Sequence, residues 1–169
     1  MALIVQKYGG TSVATAERIK AVADRIIRTK EAGHRVVVVV SAMGDTTDEL
    51  IALAHQVTDE PSERELDLLL STGEIVSCTL MAMALRAKGY EAVALTGPQA
   101  GILTEPAYGR AQIIRIEPER IVRELDRGRI VIVAGFQGMT EEFDITTLGR
   151  GGSDTTAVAL AVIRRADRC

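Results

Sequence analysis

Val36-Val37-Val38-Val39-Val40-Ser41-Ala42-Met43-Gly44 decides the fold class. Five β-branched residues in succession favour an extended chain, and with no polar alternation both faces of that strand must be covered. Such a strand belongs in the middle of a parallel sheet. Three more short apolar runs have the same character, at residues 2–6, 92–95 and 130–134, and residues 112–116 read as a further strand. Helical patterns lie between them. Ile19, Ala23, Ile26 and Ile27 share one face of a helix that Gly33 ends, and a second helix runs through Leu50, Leu53 and Ala54. Residues 66–70 and 75–87 read as helix interrupted by Ser71-Thr72-Gly73-Glu74, and Ile121, Val122 and Leu125 mark a short helix behind Pro118. Polar residues 139–147 predict a hairpin or extended lobe. Strands alternating with helices give an α/β protein, a three-layer αβα sandwich around a mainly parallel sheet.

Ligands of such sheets bind beyond the carboxyl ends of the strands. The four strong strands run into small-residue loops at Gly9, Ser41, Gly97 and Gly135. A fifth stretch, Gly149-Arg150-Gly151-Gly152-Ser153-Asp154-Thr155-Thr156, precedes the apolar helical run 157–163. Its glycines let main-chain N–H groups approach an anion, its hydroxyls and Asp154 are expected to cap the first helical turn, and the helix start favours negative charge. All five loops are expected to converge on one edge. In the first of them, Lys7-Tyr8-Gly9-Gly10-Thr11-Ser12 sets a cation beside two glycines, a combination suited to phosphate.

Composition narrows the function. The 169 residues suffice for one domain; 47% are hydrophobic and 25% charged, the balance of a soluble globular chain. A net charge of −3 and only 3% aromatic residues give no footprint for nucleic acid. The apolar runs read as too short for a bilayer, so no membrane partner is expected. Cys78 and Cys169 have no metal or redox spacing, His34 and His55 have no ligand partners at metal spacing, and the expected location is the cytoplasm. Met81 and Met83 read as core filling. Neither G-x-x-x-x-G-K-[ST] nor G-x-S-x-G occurs, and Asp154 stands where a dinucleotide fingerprint needs its third glycine. Glu74 reads either as compensation of a helix dipole or as a carboxylate facing a ligand ammonium group.

Together, Lys7 to Val13, Val40-Ser41-Ala42-Met43-Gly44, Ser71-Thr72-Gly73-Glu74, Thr96-Gly97-Pro98-Gln99-Ala100-Gly101, Ala134-Gly135-Phe136-Gln137-Gly138 and Thr146 to Thr156 resemble the aspartate kinases of the amino acid kinase family, in the same order along the chain. The resemblance implies the carbamate kinase-like fold, and ATP-dependent phosphorylation of the side-chain carboxylate of L-aspartate to 4-phospho-L-aspartate. This is the first step toward lysine, threonine and methionine. It implies Lys7 and Asp154 as the catalytic pair, with Lys7, Gly9, Gly10 and Ser41 toward phosphate. Thr47, Glu74, Phe136, Arg150, Gly151, Gly152 and Ser153 are implied around the amino acid, Glu74 on its ammonium and Arg150 on its α-carboxylate. ATP with Mg2+ is the implied co-substrate, and no protein metal ligand is expected.

The family continues past residue 169 with a nucleotide-binding part and ACT-type regulatory domains. Residues 1–169 therefore correspond to the amino-acid-binding part of the kinase domain, expected to be inactive alone. The longer enzyme is expected to be a homo-oligomer. The helical run 157–163, apolar all round, expects cover on every side and would otherwise offer an edge for association. Two rivals remain: a non-catalytic module needing a complementary chain, and a different amino acid kinase.

Overall fold

A computed structural model describes residues 2–166, with side chains for residues 2–163; Cys169 lies outside the described residues. The chain forms β1 (Leu3–Tyr8), α1 (Ala16–Glu31), β2 (Arg35–Val40), α2 (Thr46–Val57), α3 (Glu63–Ala87), β3 (Ala92–Leu95), β4 (Ile102–Thr104), β5 (Ile113–Ile116), α4 (Glu119–Asp126), β6 (Ile130–Ala134), β7 (Gln137–Met139), β8 (Ile145–Thr147) and α5 (Gly152–Ala166). The four strong apolar runs become one parallel sheet in the order β1-β2-β6-β3.

The valine run explains the layers. Val36, Val38 and Val40 pack with Ile19, Val22 and Ile26 of α1 and with Met81 and Leu85 of α3. Val37 and Val39 point the other way, to Ile121 and Leu125 of α4 and Leu160 of α5. A strand has a side-chain period of two, so an unbroken apolar run feeds both cores at once.

A second, mixed sheet lies beside the first in the order β5-β4-β7-β8. It contains the hairpin expected over 139–147, as antiparallel β7 and β8 with Gln137 opposite Thr147. The strand expected at 112–116 belongs here, not in the parallel sheet, and β4 joins it through a register shift between Leu103 and Thr104.

Residues 71–74 do not interrupt a helix. α3 runs unbroken for 25 residues, and the Ser71 and Thr72 hydroxyls donate back to the carbonyls of Leu68 and Leu69, both at 2.7 Å. Gly73 is there for contact: a Cβ would stand 2.9 Å from the Ala42 Cβ and 3.5 Å from Thr46 Cγ2. Joined into one element, α3 is long and apolar enough to cross a membrane by length and composition, contrary to the expectation from its separate runs. It is packed as a core helix, burying Leu70, Cys78, Met81 and Leu85. Met83, expected in the core, is exposed.

The loop after β3 also departs from expectation. A Cβ on Gly97 would meet the Gln137 carbonyl oxygen at 2.3 Å, and the Gly97 N–H donates to Gln137 Oε1 at 3.1 Å. This loop buttresses β7 and does not line the cleft described next. Four small-residue stretches meet there instead of five. On α5, Leu160 is buried while Val158 and Val162 are exposed, so the run 157–163 is covered on one side only.

Candidate active site

The carboxyl ends of β1, β2 and β6 open into a cleft of about 550 Å3. Lys7 and Gly10 border it from the first strand, Ser41, Ala42 and Gly44 from the second, and Phe136 from the third. Thr47 and Asp48 of α2 and Asp67 and Glu74 of α3 close one wall. Gly149 to Asp154 close the other. Every site residue named from the sequence borders this space except Gly9, over which the Lys7 ammonium folds, 3.4 Å from where a Cβ would stand.

Lys7 Nζ pairs with Asp154 Oδ1 at 3.0 Å, linking the end of β1 to the first turn of α5. The hydroxyls at that turn do not cap it as expected. Thr155 and Thr156 donate backward, to the carbonyls of Gly151 at 3.3 Å and Gly152 at 3.0 Å. The Thr156 hydroxyl also accepts the Phe136 N–H at 3.2 Å, and the Phe136 carbonyl accepts the Leu148 N–H at 2.8 Å. These two bonds hold Phe136 at φ 73°, a left-handed conformation that costs a residue with a side chain about 1–3 kcal/mol. Ser153 is buried against Gly135, where any Cβ would approach its Oγ to 2.8 Å.

Glu74 stands in the middle of α3, not at its start, so compensation of a helix dipole does not apply. It is 2% exposed, and its Oε2 has no hydrogen-bond partner among the described residues. Burial pushes its carboxyl up to about 7, against the opposing pull of the Glu74 and Ala42 N–H groups. A buried oxygen left unpaired at a cleft is an acceptor for a donor that a ligand supplies. Arg150 borders the same cleft, is exposed, and makes no ion pair among the described residues.

Asp67 carries no motif spacing, yet it is 2% exposed and borders the cleft. Burial raises its carboxyl above the usual range, and the N–H groups of Gly109 and Thr147 oppose that shift. The legible sign was a single charge inside Leu66-Asp67-Leu68-Leu69-Leu70.

The carboxylates do not gather as a metal centre: among the described residues no three His, Cys, Asp or Glu side chains could hold one ion. The cleft lining brings the cations Lys7 and Arg150 together with the carboxylates of Asp48, Asp67, Glu74 and Asp154.

Comparison with known proteins places the chain in a family. The family model described as the amino acid kinase family matches residues 2–169. An aspartokinase of Bacillus sp. (strain MGA3) is 61% identical over 169 residues, covering all of this chain and 41% of that protein. The crystal structure of aspartate kinase from Synechocystis is 51% identical with a TM-score of 0.79, over 95% of this chain and 26% of that one. E. coli aspartokinase III in complex with aspartate and ADP gives a TM-score of 0.83 at 27% identity, over 95% of this chain and 46% of that one. The chain thus spans about 41% of the length of the curated relatives it matches.

Proposed function

Since the chain belongs to the amino acid kinase family, we propose that it is the aspartate-binding part of an aspartate kinase, a cytoplasmic enzyme that transfers the γ-phosphoryl group of ATP to the side-chain carboxylate of L-aspartate. The products are 4-phospho-L-aspartate and ADP, at the start of lysine, threonine and methionine biosynthesis. The observation that carries this reading is Glu74 Oε2, buried at the cleft and lacking a donor. An α-ammonium group supplies that donor, and Arg150, which borders the same cleft, suits an α-carboxylate as a bidentate partner. The names of the relatives, and the aspartate and ADP in one solved neighbour, support the same substrates.

The acceptor carboxylate, with a reference pKa of about 3.9, is ionised at neutral pH, so no general base is needed. The difficulty is bringing an anion to a polyanion, and charge neutralisation with positioning must supply the rate. Lys7 meets the transferring phosphoryl group, with the Gly9 and Gly10 backbone and Ser41 beside it. Asp154 holds the lysine ammonium at the cleft through their 3.0 Å pair. Thr47, Phe136, Ser153 and the Gly151-Gly152 backbone enclose the amino acid. Magnesium, when bound with ATP, would supply charge neutralisation on phosphate oxygens. Turnover, the adenine site and oligomeric assembly are placed in the longer protein.

Titration of the 169-residue chain with L-aspartate, L-glutamate and carbamate, followed by calorimetry or amide NMR, tests the reading. Saturable binding of L-aspartate over the other two is expected, weakened about tenfold or more by Arg150→Lys, because a point charge cannot replace the guanidinium fork. Preference for glutamate or carbamate, or an Arg150→Lys chain that binds aspartate unchanged, overturns it.

A further inference from the structure

Asp67 touches the cleft but spends its oxygens on the protein. Its Oδ2 accepts the Gly109 N–H at 2.9 Å and the Thr147 N–H at 2.8 Å, and its Oδ1 accepts the Thr147 hydroxyl at 3.0 Å. Those two residues locate Gly149. Thr147 precedes it by two positions, and Gly109 packs against it, its carbonyl oxygen 3.1 Å from where a Gly149 Cβ would stand. Arg150 follows directly, and the Gly152 N–H closes the turn onto the Gly149 carbonyl at 3.0 Å. One helical turn earlier on α3, Arg64 pairs with Asp144 at 2.8 Å, and the Tyr108 hydroxyl donates to the same carboxylate at 2.9 Å. α3 therefore grips the β8 hairpin and the Tyr108-Gly109 loop at two successive turns. Only the inner grip, at Asp67, is buried.

We propose that Asp67 is a positioning residue for the amino acid site: through Thr147 and Gly109 it sets the height and direction at which Gly149 and Arg150 enter the cleft. The inference rests on the proposed amino acid site for its effect on binding, but not for its effect on the backbone. Its role is a hydrogen-bond pattern, not a charge. An asparagine can reproduce that pattern, with its carbonyl oxygen taking both N–H groups and its amide donating to the Thr147 hydroxyl. Alanine leaves the buried Thr147 N–H and the part-buried Gly109 N–H without their acceptor.

Amide exchange of residues 147–153 and L-aspartate titration of the full chain decide the matter, on Asp67→Ala and Asp67→Asn side by side. The alanine variant is expected to exchange at least about tenfold faster over 147–153, with α1 and β2 unchanged, and to bind aspartate about tenfold more weakly. The asparagine variant is expected to stay within about twofold of wild type in both, its acceptors and donors being matched. Asparagine behaving as badly as alanine makes the charge itself the requirement and overturns the proposal. So does an alanine variant with wild-type exchange over 147–153. Should Asp67→Ala fail to fold, Thr147→Val removes one of the three bonds and keeps both N–H groups paired. Faster exchange at 148–152 in that variant supports the proposal, and wild-type exchange there overturns it. A wild-type chain that ignores L-aspartate refutes the proposed function, while the exchange data still judge Asp67.

Discussion

At the scale of the residue, Glu74 sets stability against binding. Its carboxyl rises from 4.5 to about 7 on burial. The folded chain therefore holds a proton that the unfolded chain has already released. Stability falls as pH climbs from about 4.5 to about 7, and above that the fold carries a penalty of about 3 kcal/mol. Glu74→Gln removes the titration. Denaturant unfolding is expected to show the variant more stable than wild type at pH 8, with the gap closing by pH 5; parallel curves would refute the assignment. Ligand binding should move oppositely. At pH 6 only about one tenth of Glu74 is ionised, so wild-type aspartate affinity is expected to rise about fivefold from pH 6 to pH 7 and about tenfold by pH 8, flatten above, and show no such rise in the variant. Phe136 is a second local cost, strained at φ 73° and held there by Thr156 and Leu148. Strained and desolvated groups gathered at one cleft are what a binding site requires and a passive core avoids.

At the scale of the element, α3 carries most of the site's support. It supplies Glu74 and Asp67 to the cleft, and Ser77 donates to the Ser41 carbonyl at 2.7 Å, fixing the end of β2. Gly73 lets the helix lie close against Ala42. Gly73→Ala sets two magnitudes in opposition. Helix propensity favours alanine by about 1 kcal/mol, while a 2.9 Å contact with Ala42 Cβ forces an overpacked interface worth about 1–3 kcal/mol. The clash is expected to win: thermal unfolding should show a loss of about 1–2 kcal/mol, and a more stable alanine variant would refute the packing role. This contact also explains the misleading local signal. Ser, Thr and Gly together read as a turn because each disfavours helix on its own, yet here the hydroxyls back-bond and the glycine meets a neighbour distant in sequence. Tertiary contact overrode propensity.

At the scale of the whole molecule, the parallel sheet and its two helical layers were legible because residues 36–40, 92–95 and 130–134 are buried on both faces and so lack polar alternation. The second sheet was legible only in part, as the strand at 112–116 and the hairpin over 139–147, without β4 and without their joining into one sheet. β4, β7 and β8 have three residues each, too few to display a period, and β7 contains Gly138 and Gln137. The cleft was legible from the loops at the strand ends, with Lys7 and Phe136, since a parallel sheet puts those ends on one edge, and from the glycine-rich stretch with Arg150 and Asp154 that enters α5. Asp67 showed only as a lone charge in an apolar run, and its role was hidden because its partners Gly109 and Thr147 are 42 and 80 residues away.

The place of β6 between β2 and β3 has a consequence in time. Val37 pairs with Val131, so the central strand waits 131 − 37 = 94 residues for its second neighbour. At a synthesis rate of about 5–20 residues per second, one edge of the valine strand stays unpaired for roughly 5–20 s. Refolding from denaturant should likewise be slow, on the order of milliseconds to seconds, with α1 and α3 gaining exchange protection before β6; simultaneous protection of all three within microseconds would contradict this order. The most β-prone segment of the chain is thus born with an open edge, and a nascent chain is most exposed to aggregation in that interval.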